Sequence, residues 1–231
     1  LAAWAGDAQR ITQAVSVAVV PLADHSRAKK QLISESATDA VALALDESGE
    51  YTVTPKADTL RELEALGVHV ADLFRFTISN EQMVRLGQRL RVDKVAGGSV
   101  DELSIDARSG RCRCVLTVRL MDIVTEEYLD GATVEYTTSP VPGWRGEEAD
   151  VINEALRSAA EEAVRKIITS RKPRGNVDMV DQTGTVMVNL GSRDGVQVGM
   201  ELLVVRGIWN AVEEKVVLRK IGRIRVKRLE L

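Results

Sequence analysis

The chain has 231 residues, 45% hydrophobic and 28% charged, with a formal net charge of −3. That balance excludes a disordered chain, and near-neutrality gives no whole-molecule pull toward a polyanion. Aromatic residues make up only 3%, which disfavours base-stacking platforms and leaves the core to Val, Leu, Ile and Ala.

At the start, Ala3-Trp4-Ala5 followed by Gly6 has the small-x-small look of a signal-peptidase site. An Ala-rich terminal tail accounts for the same residues equally well. The longest uncharged run near this end, residues 11–23, has 13 residues and contains Pro21, whereas a membrane-spanning helix needs about 20.

Residues 15–22 are nearly continuous apolar, as expected of a strand covered on both faces. A helix follows from Arg27 or Ala28 to Asp46, with Ile33, Ala37, Ala40, Val41, Ala44 and Leu45 on one stripe. Gly49 ends it, and residues 51–54 form a short strand stopped by Pro55. Thr59-x-x-Glu62 is read as a capping box opening a brief helix that closes at Gly67, and Ser79-x-x-Gln82 as a second box. The period then switches to two, and residues 94–105, 111–123 and 128–138 read as an antiparallel meander of three strands. A Pro/Gly loop, residues 139–146, leads into the longest helix, residues 147–170.

The predicted fold is α+β: a mixed sheet with packed helices over residues 10–170, a charged linker over 171–175 and a small SH3-like β-barrel over 176–231. In the last part the strands are expected at 185–190, 201–206, 215–220 and 222–227. Gly191, Asp194, Gly195 and Gly199 are assigned to turns there, and Gly98 is assigned a structural role in the first part.

Little in the sequence points to catalysis. Cys112 and Cys114 form a C-x-C whose alternation shares one side with Leu116, Val118 and Leu120, so they read as core rather than as a disulfide or metal pair. Arg111, Arg113, Thr117 and Arg119 share the other side. His25 and His69 stand alone and read as loop residues, and no ligand set with metal spacing occurs. Gly97-Gly98 lacks the Lys-Ser/Thr of a phosphate loop. No cofactor, no metal and no catalytic residue is therefore expected.

Two surface features remain. Trp144 and Arg145 in the 139–146 loop are residue types favoured as interface anchors; packing onto the long helix is the other reading of Trp144. Arg223, Arg225 and Lys227 alternate with Ile224 and Val226, lining one strand face with cations. They suit either an acidic partner or anionic polymer, or a solvated edge whose charges block further pairing, and the second reading is preferred.

Several stretches also resemble known families. VAVVPL (residues 17–22) resembles the opening strand of TolB amino-terminal-like and CsgG-like envelope domains. RLGQRLRVDKVAGGSVDEL (85–103) and LTVRLMDIVTEEYL (116–129) resemble later segments of the same group, with Glu126 where Gly is usual, so a different turn geometry is expected there. GTVMVNLGSRDGVQVGMELLVVR (184–206) resembles a repeat in modules of CsgG-like proteins and of flagellar assembly protein T. The resemblance implies a non-catalytic bacterial protein exported to the periplasm or cell envelope. Its implied partners are envelope proteins, including outer-membrane, flagellar or secretion components, or further copies of itself. Nucleic acid is the less favoured partner. No lipid-accepting Cys stands near the start, and no pore-forming hairpin is evident.

Overall fold

The computed structural model describes residues 15–26, 31–69, 72–146, 148–170, 173, 175–210 and 215–229. The expected signal-peptidase site, with residues 1–14, lies outside them.

The chain begins with β1 (Val15–Val19) and β2 (Ala23–Asp24), followed by α1 (Gln31–Glu47), β3 (Tyr51–Val53), α2 (Lys56–Ala65) and α3 (Asn80–Leu90). The meander comprises β4 (Lys94–Ile105), β5 (Cys112–Asp122) and β6 (Glu127–Thr137), and α4 (Glu148–Thr169) follows it. These strands make one mixed sheet of order β3-β1-β4-β5-β6, with β2 also paired to β4. β1 runs parallel to β3 and β4, while β5 and β6 continue the sheet antiparallel.

The single strand expected at residues 15–22 is split in two. Pro21 offers no N–H to the ladder, so pairing with β4 stops after Val19 and resumes at Ala23. The displaced backbone of Leu22 is satisfied by α1: Leu22 N–H donates to Thr38 Oγ1 at 3.0 Å, and the buried Ser34 hydroxyl donates to the Leu22 carbonyl.

Helices cover both faces of the sheet, but unequally. On one face the apolar stripes of α1 (Ile33, Ala37, Val41, Leu45) and α4 (Ala155, Leu156, Ala159, Ala163) pack on Cys112, Cys114, Leu116, Val118 and Leu120 of β5. The alanines let both helices lie close to the sheet, and each buried Leu or Val contributes about 1.5–3 kcal/mol. On the other face, α2 and α3 bury Leu63, Met83, Val84 and Leu86 against Ala18, Val20, Val95, Met121 and Ile123. Gly87 sets the close approach of α3, since a Cβ there would lie 2.4 Å from the Ile123 side chain. That smaller pair covers one end of the sheet, and farther along this face Asp101, Arg113, Arg119 and Thr133 are exposed.

The helix caps divide. Ser79 and Gln82 form the reciprocal box expected of them, with Gln82 N–H donating to Ser79 Oγ. Thr59 does not cap: α2 begins three residues earlier, after Pro55, and Thr59 is buried inside it with its hydroxyl near the Pro55 carbonyl. The fixed φ of Pro55 starts the helix without a side-chain acceptor. Glu126 takes φ +59°, the left-handed conformation that glycine adopts more readily.

After α4 come β7 (Val177–Val180), β8 (Val186–Val188), β9 (Glu201–Asn210) and β10 (Lys215–Arg225). β7 pairs with β8 and β9 with β10, both antiparallel. Among the described residues these are two separate two-stranded sheets, with no closed barrel. The two strands expected at 215–220 and 222–227 are one strand, β10, bulged between Lys220 and Gly222.

Candidate functional site

Trp144 is half-buried, not the exposed anchor expected. It packs against the larger core with Val141 and lies over Gly110, where a Cβ would meet its ring at 2.6 Å. Arg145 beside it is exposed.

The basic strand is largely spoken for. Arg225 pairs with Glu201 at 2.9 Å, and Arg223 reaches Glu127 at 2.7 Å and Glu201 at 3.5 Å. Lys220 also meets Glu127, at 2.5 Å. Hydrogen bonds from Arg223 and Lys220 hold the Glu127 carboxyl below its ordinary range, and Arg225 does the same for Glu201. Lys227 is exposed two residues beyond the end of β10. Two of the three cations singled out from sequence thus face carboxylates within the chain, which works against an anionic-polymer surface.

Among the glycines, Gly195 and Gly199 adopt φ +81° and +89°, whereas Gly191 is extended at −132°. Asp194 accepts the Gly191 N–H at 2.8 Å and closes this turn, a single 3-10 turn over Ser192–Asp194. Gly98 lies inside β4, where a Cβ would run into the Thr117 carbonyl oxygen of β5, so it serves strand approach. Its neighbour Gly97 makes room for Met83 and Val20.

Cys112 and Cys114 are fully buried free thiols. Burial pushes them up to about 11 and about 12, so both are neutral thiols packed as small hydrophobes. Among the described residues no His/Cys/Asp/Glu group could hold a metal ion. His69 is exposed, and His25 lies 3.7 Å from Asp101 at the surface.

The open sheet face carries the most organised polar groups, and sequence reasoning passed over most of them. Asp101 sits at the β4 bulge and accepts Ser99 Oγ and Thr117 Oγ1, each at 2.6 Å. Thr117 is 2.9 Å from Thr133 on β6. Arg113 pairs at 2.7 Å with Glu102 and with Glu135, spanning three strands. Arg119 lies one rung beyond Thr117, between Gly97 on β4 and Gly131 on β6. It is exposed and makes no ion pair among the described residues. Beside it is a cavity of about 300 Å³ lined by Thr117, Arg119, Tyr128, Gly131 and Thr133, among others. The edge strand β6 bounds that cavity and, among the described residues, pairs only with β5. On the covered face at the same end, Asp130 neutralises the buried Lys94 ammonium. The alternation of residues 111–123 already put Arg113, Thr117 and Arg119 on one side; the exposure of Arg113 and Arg119 depends on strand order, which that alternation does not contain.

Fold and site together define an α+β protein in which, among the described residues, the helices leave part of one sheet face and one long edge strand uncovered. No known family and no curated protein matches the chain. Solved structures that resemble it include the LpoB C-terminal domain from Salmonella enterica, at 15% identity and TM-score 0.44, covering 55% of this chain and 86% of that one. The PelC dodecamer from Paraburkholderia phytofirmans matches at 15% and 0.41, covering 64% and 87%. Lipoprotein GNA1162 from Neisseria meningitidis matches at 19% and 0.47, covering 68% and 99%. None of these is a CsgG-like, TolB or flagellar assembly T protein, which corrects the resemblance read from the sequence. The motifs behind it encode β1, the end of α3 with β4, β5 with the start of β6, and β8 with β9, and such element-and-turn patterns recur in unrelated chains. Among the described residues no helix is long and apolar enough to cross a membrane.

Proposed function

We propose that this chain is a non-catalytic assembly or scaffolding protein of the bacterial cell envelope, working in the periplasm through protein–protein contacts. It is organised as an α/β domain over residues 10–170, a linker over 171–175 and a contact-making C-terminal part over 176–231. One observation carries the reading. Val177, Met179, Val180, Met187, Val198, Val205, Ile208 and Ile221 are all exposed, while Val196 is the one buried apolar side chain described after residue 175.

Two-stranded sheets are marginal in water without a surface to pack on, and exposed apolar groups concentrated in one segment mark an interaction site. We propose that these strands, patterned for a small SH3-like barrel, close only against a protein partner. Arg145, Arg223, Arg225 and Lys227 would form the polar rim of that contact, with Trp144 bracing the neighbouring loop.

A photo-crosslinking residue in place of Met179, in the full chain expressed in a bacterial periplasm, tests this. Discrete adducts are expected there and none with the crosslinker at Arg157 on the exposed side of α4. Absence of adducts from Met179, Met187 and Ile208 alike would remove the reading.

A further inference from the structure

Among the described residues β6 pairs along one edge, with β5, and Arg119 makes no ion pair. We propose that β6 accepts an extended segment of a protein partner as an added strand, and that an acidic side chain of that segment pairs with Arg119 across Gly131. This rests on the assembly reading above and names a second contact within it, distinct from the C-terminal strands.

Three observations converge. First, β6 is an 11-residue strand at the sheet edge, hydrogen-bonded among the described residues to β5 alone, and the charges that meet it from β10 do so at Glu127, its first residue. Such an edge presents a row of unused backbone donors and acceptors, the template for strand addition.

Second, Arg119 stands in the middle strand with glycines on both sides in register, Gly97 and Gly131. The Gly97 side is filled by Met83 and Val20, so the open direction is toward Gly131 and the edge. A Cβ at Gly131 would sit 3.4 Å from Arg119 Cγ and 3.1 Å from the Val118 carbonyl oxygen, which places the guanidinium stem directly over the glycine.

Third, the charges nearby are already committed. Asp130 pairs with Lys94, Asp101 accepts Ser99 and Thr117, and Glu102 and Glu135 pair with Arg113. Among the described residues Arg119 is the cation of β5 that makes no ion pair.

The distances suit a carboxylate. A strand added to β6 lies two strand steps from β5, about 10 Å at the usual 4.8 Å spacing. An Arg and a Glu side chain reaching toward each other span that gap when no side chain stands between them, which the residue at position 131 guarantees. The cavity lined by Thr117, Tyr128 and Thr133 receives the carboxylate, with the Thr133 hydroxyl beside it. Arg favours this pairing because its planar donors meet a carboxylate two at a time.

Phage-displayed random heptapeptides selected on the full-length chain provide the test, the best binder then being measured by fluorescence anisotropy. Selected peptides should share one Asp or Glu within a run of β-formers. Binding should weaken tenfold or more in Arg119→Met and in Gly131→Val, with the melting temperature of Arg119→Met unchanged. Amide exchange in β6 should slow when the peptide is bound. Peptides without an acidic position, undiminished binding to Arg119→Met, no protection of β6, or no enriched peptide would each overturn the proposal. The crosslinking readout at Met179 is separate, so the edge site can fail while the assembly reading stands.

Discussion

Residues 15–170 and 175–229 solve the same problem in opposite ways. The first part closes on itself: a five-strand path is covered by α1 and α4 on one face and partly by α2 and α3 on the other, and β5 buries Cys112, Cys114, Leu116, Val118 and Leu120 completely. The second part is two hairpins that keep Met179, Val180, Ile208 and Ile221 in solvent. Apolar content is similar along the chain, so what separates the parts is how much covering surface each is given. A segment rich in Val, Leu and Ile that lacks a covering layer is built to acquire one from outside.

The contrast is sharpest at the level of single atoms. Gly98→Ala should have the largest effect of the changes considered, about 4 kcal/mol or outright loss of folding, because its methyl would displace the Thr117 carbonyl and part β4 from β5. Denaturant titration of the full chain reads this. A normal midpoint would mean that the strand approach is softer than it looks.

Paired truncations extend the comparison. Leu116→Ala should cost about 3 kcal/mol, since the side chain is wholly buried. Met179→Ala should cost less than about 0.5 kcal/mol, because its side chain is 52% exposed. Equal losses at the two positions would break the distinction between a closed part and an open one.

The smallest effect concerns the contact between the parts. Glu127 is held below its ordinary range by Arg223 and Lys220, so its folded value lies under its unfolded one. Such a group stabilises the contact above its unfolded value, near 4.5, and the contribution fades as pH falls through the lowered folded value. Amide exchange in β10 should therefore quicken as pH drops through that window, after correction for the intrinsic rate. Glu127→Gln should abolish the step without changing the unfolding of β4 and β5. A step that persists in the variant would assign it to another carboxylate.

Much of the first part was legible in the sequence. The period-two runs marked the β4–β5–β6 meander to within a residue or two, because polar and apolar residues alternate along much of β5 and β6. The α1 and α4 stripes were equally plain, and Ser79-x-x-Gln82 capped α3 as its spacing required. Where reading failed, a nonlocal or competing effect had won. Pro55 started α2 in place of Thr59, and Pro21 cut one apolar run into two strands. β7 went unseen because Val177–Val180 is four residues long, with Asp178 in its middle and a poor alternation. The candidate site was hardest to see. Arg119 and Gly131 are unremarkable 12 positions apart, and only the register of β5 on β6 makes them neighbours. Trp144, which residue type alone marked as an anchor, is held by Gly110 and the core.

The comparison between the two parts is tested most directly by residue-resolved hydrogen exchange on the isolated full chain at neutral pH. Amides of β4, β5 and α4 should exchange only through global unfolding, while those of β7, β8 and β9 should exchange through local opening, orders of magnitude faster. Uniform protection across both parts would contradict the account, since it would mean that the C-terminal strands are already covered without a partner.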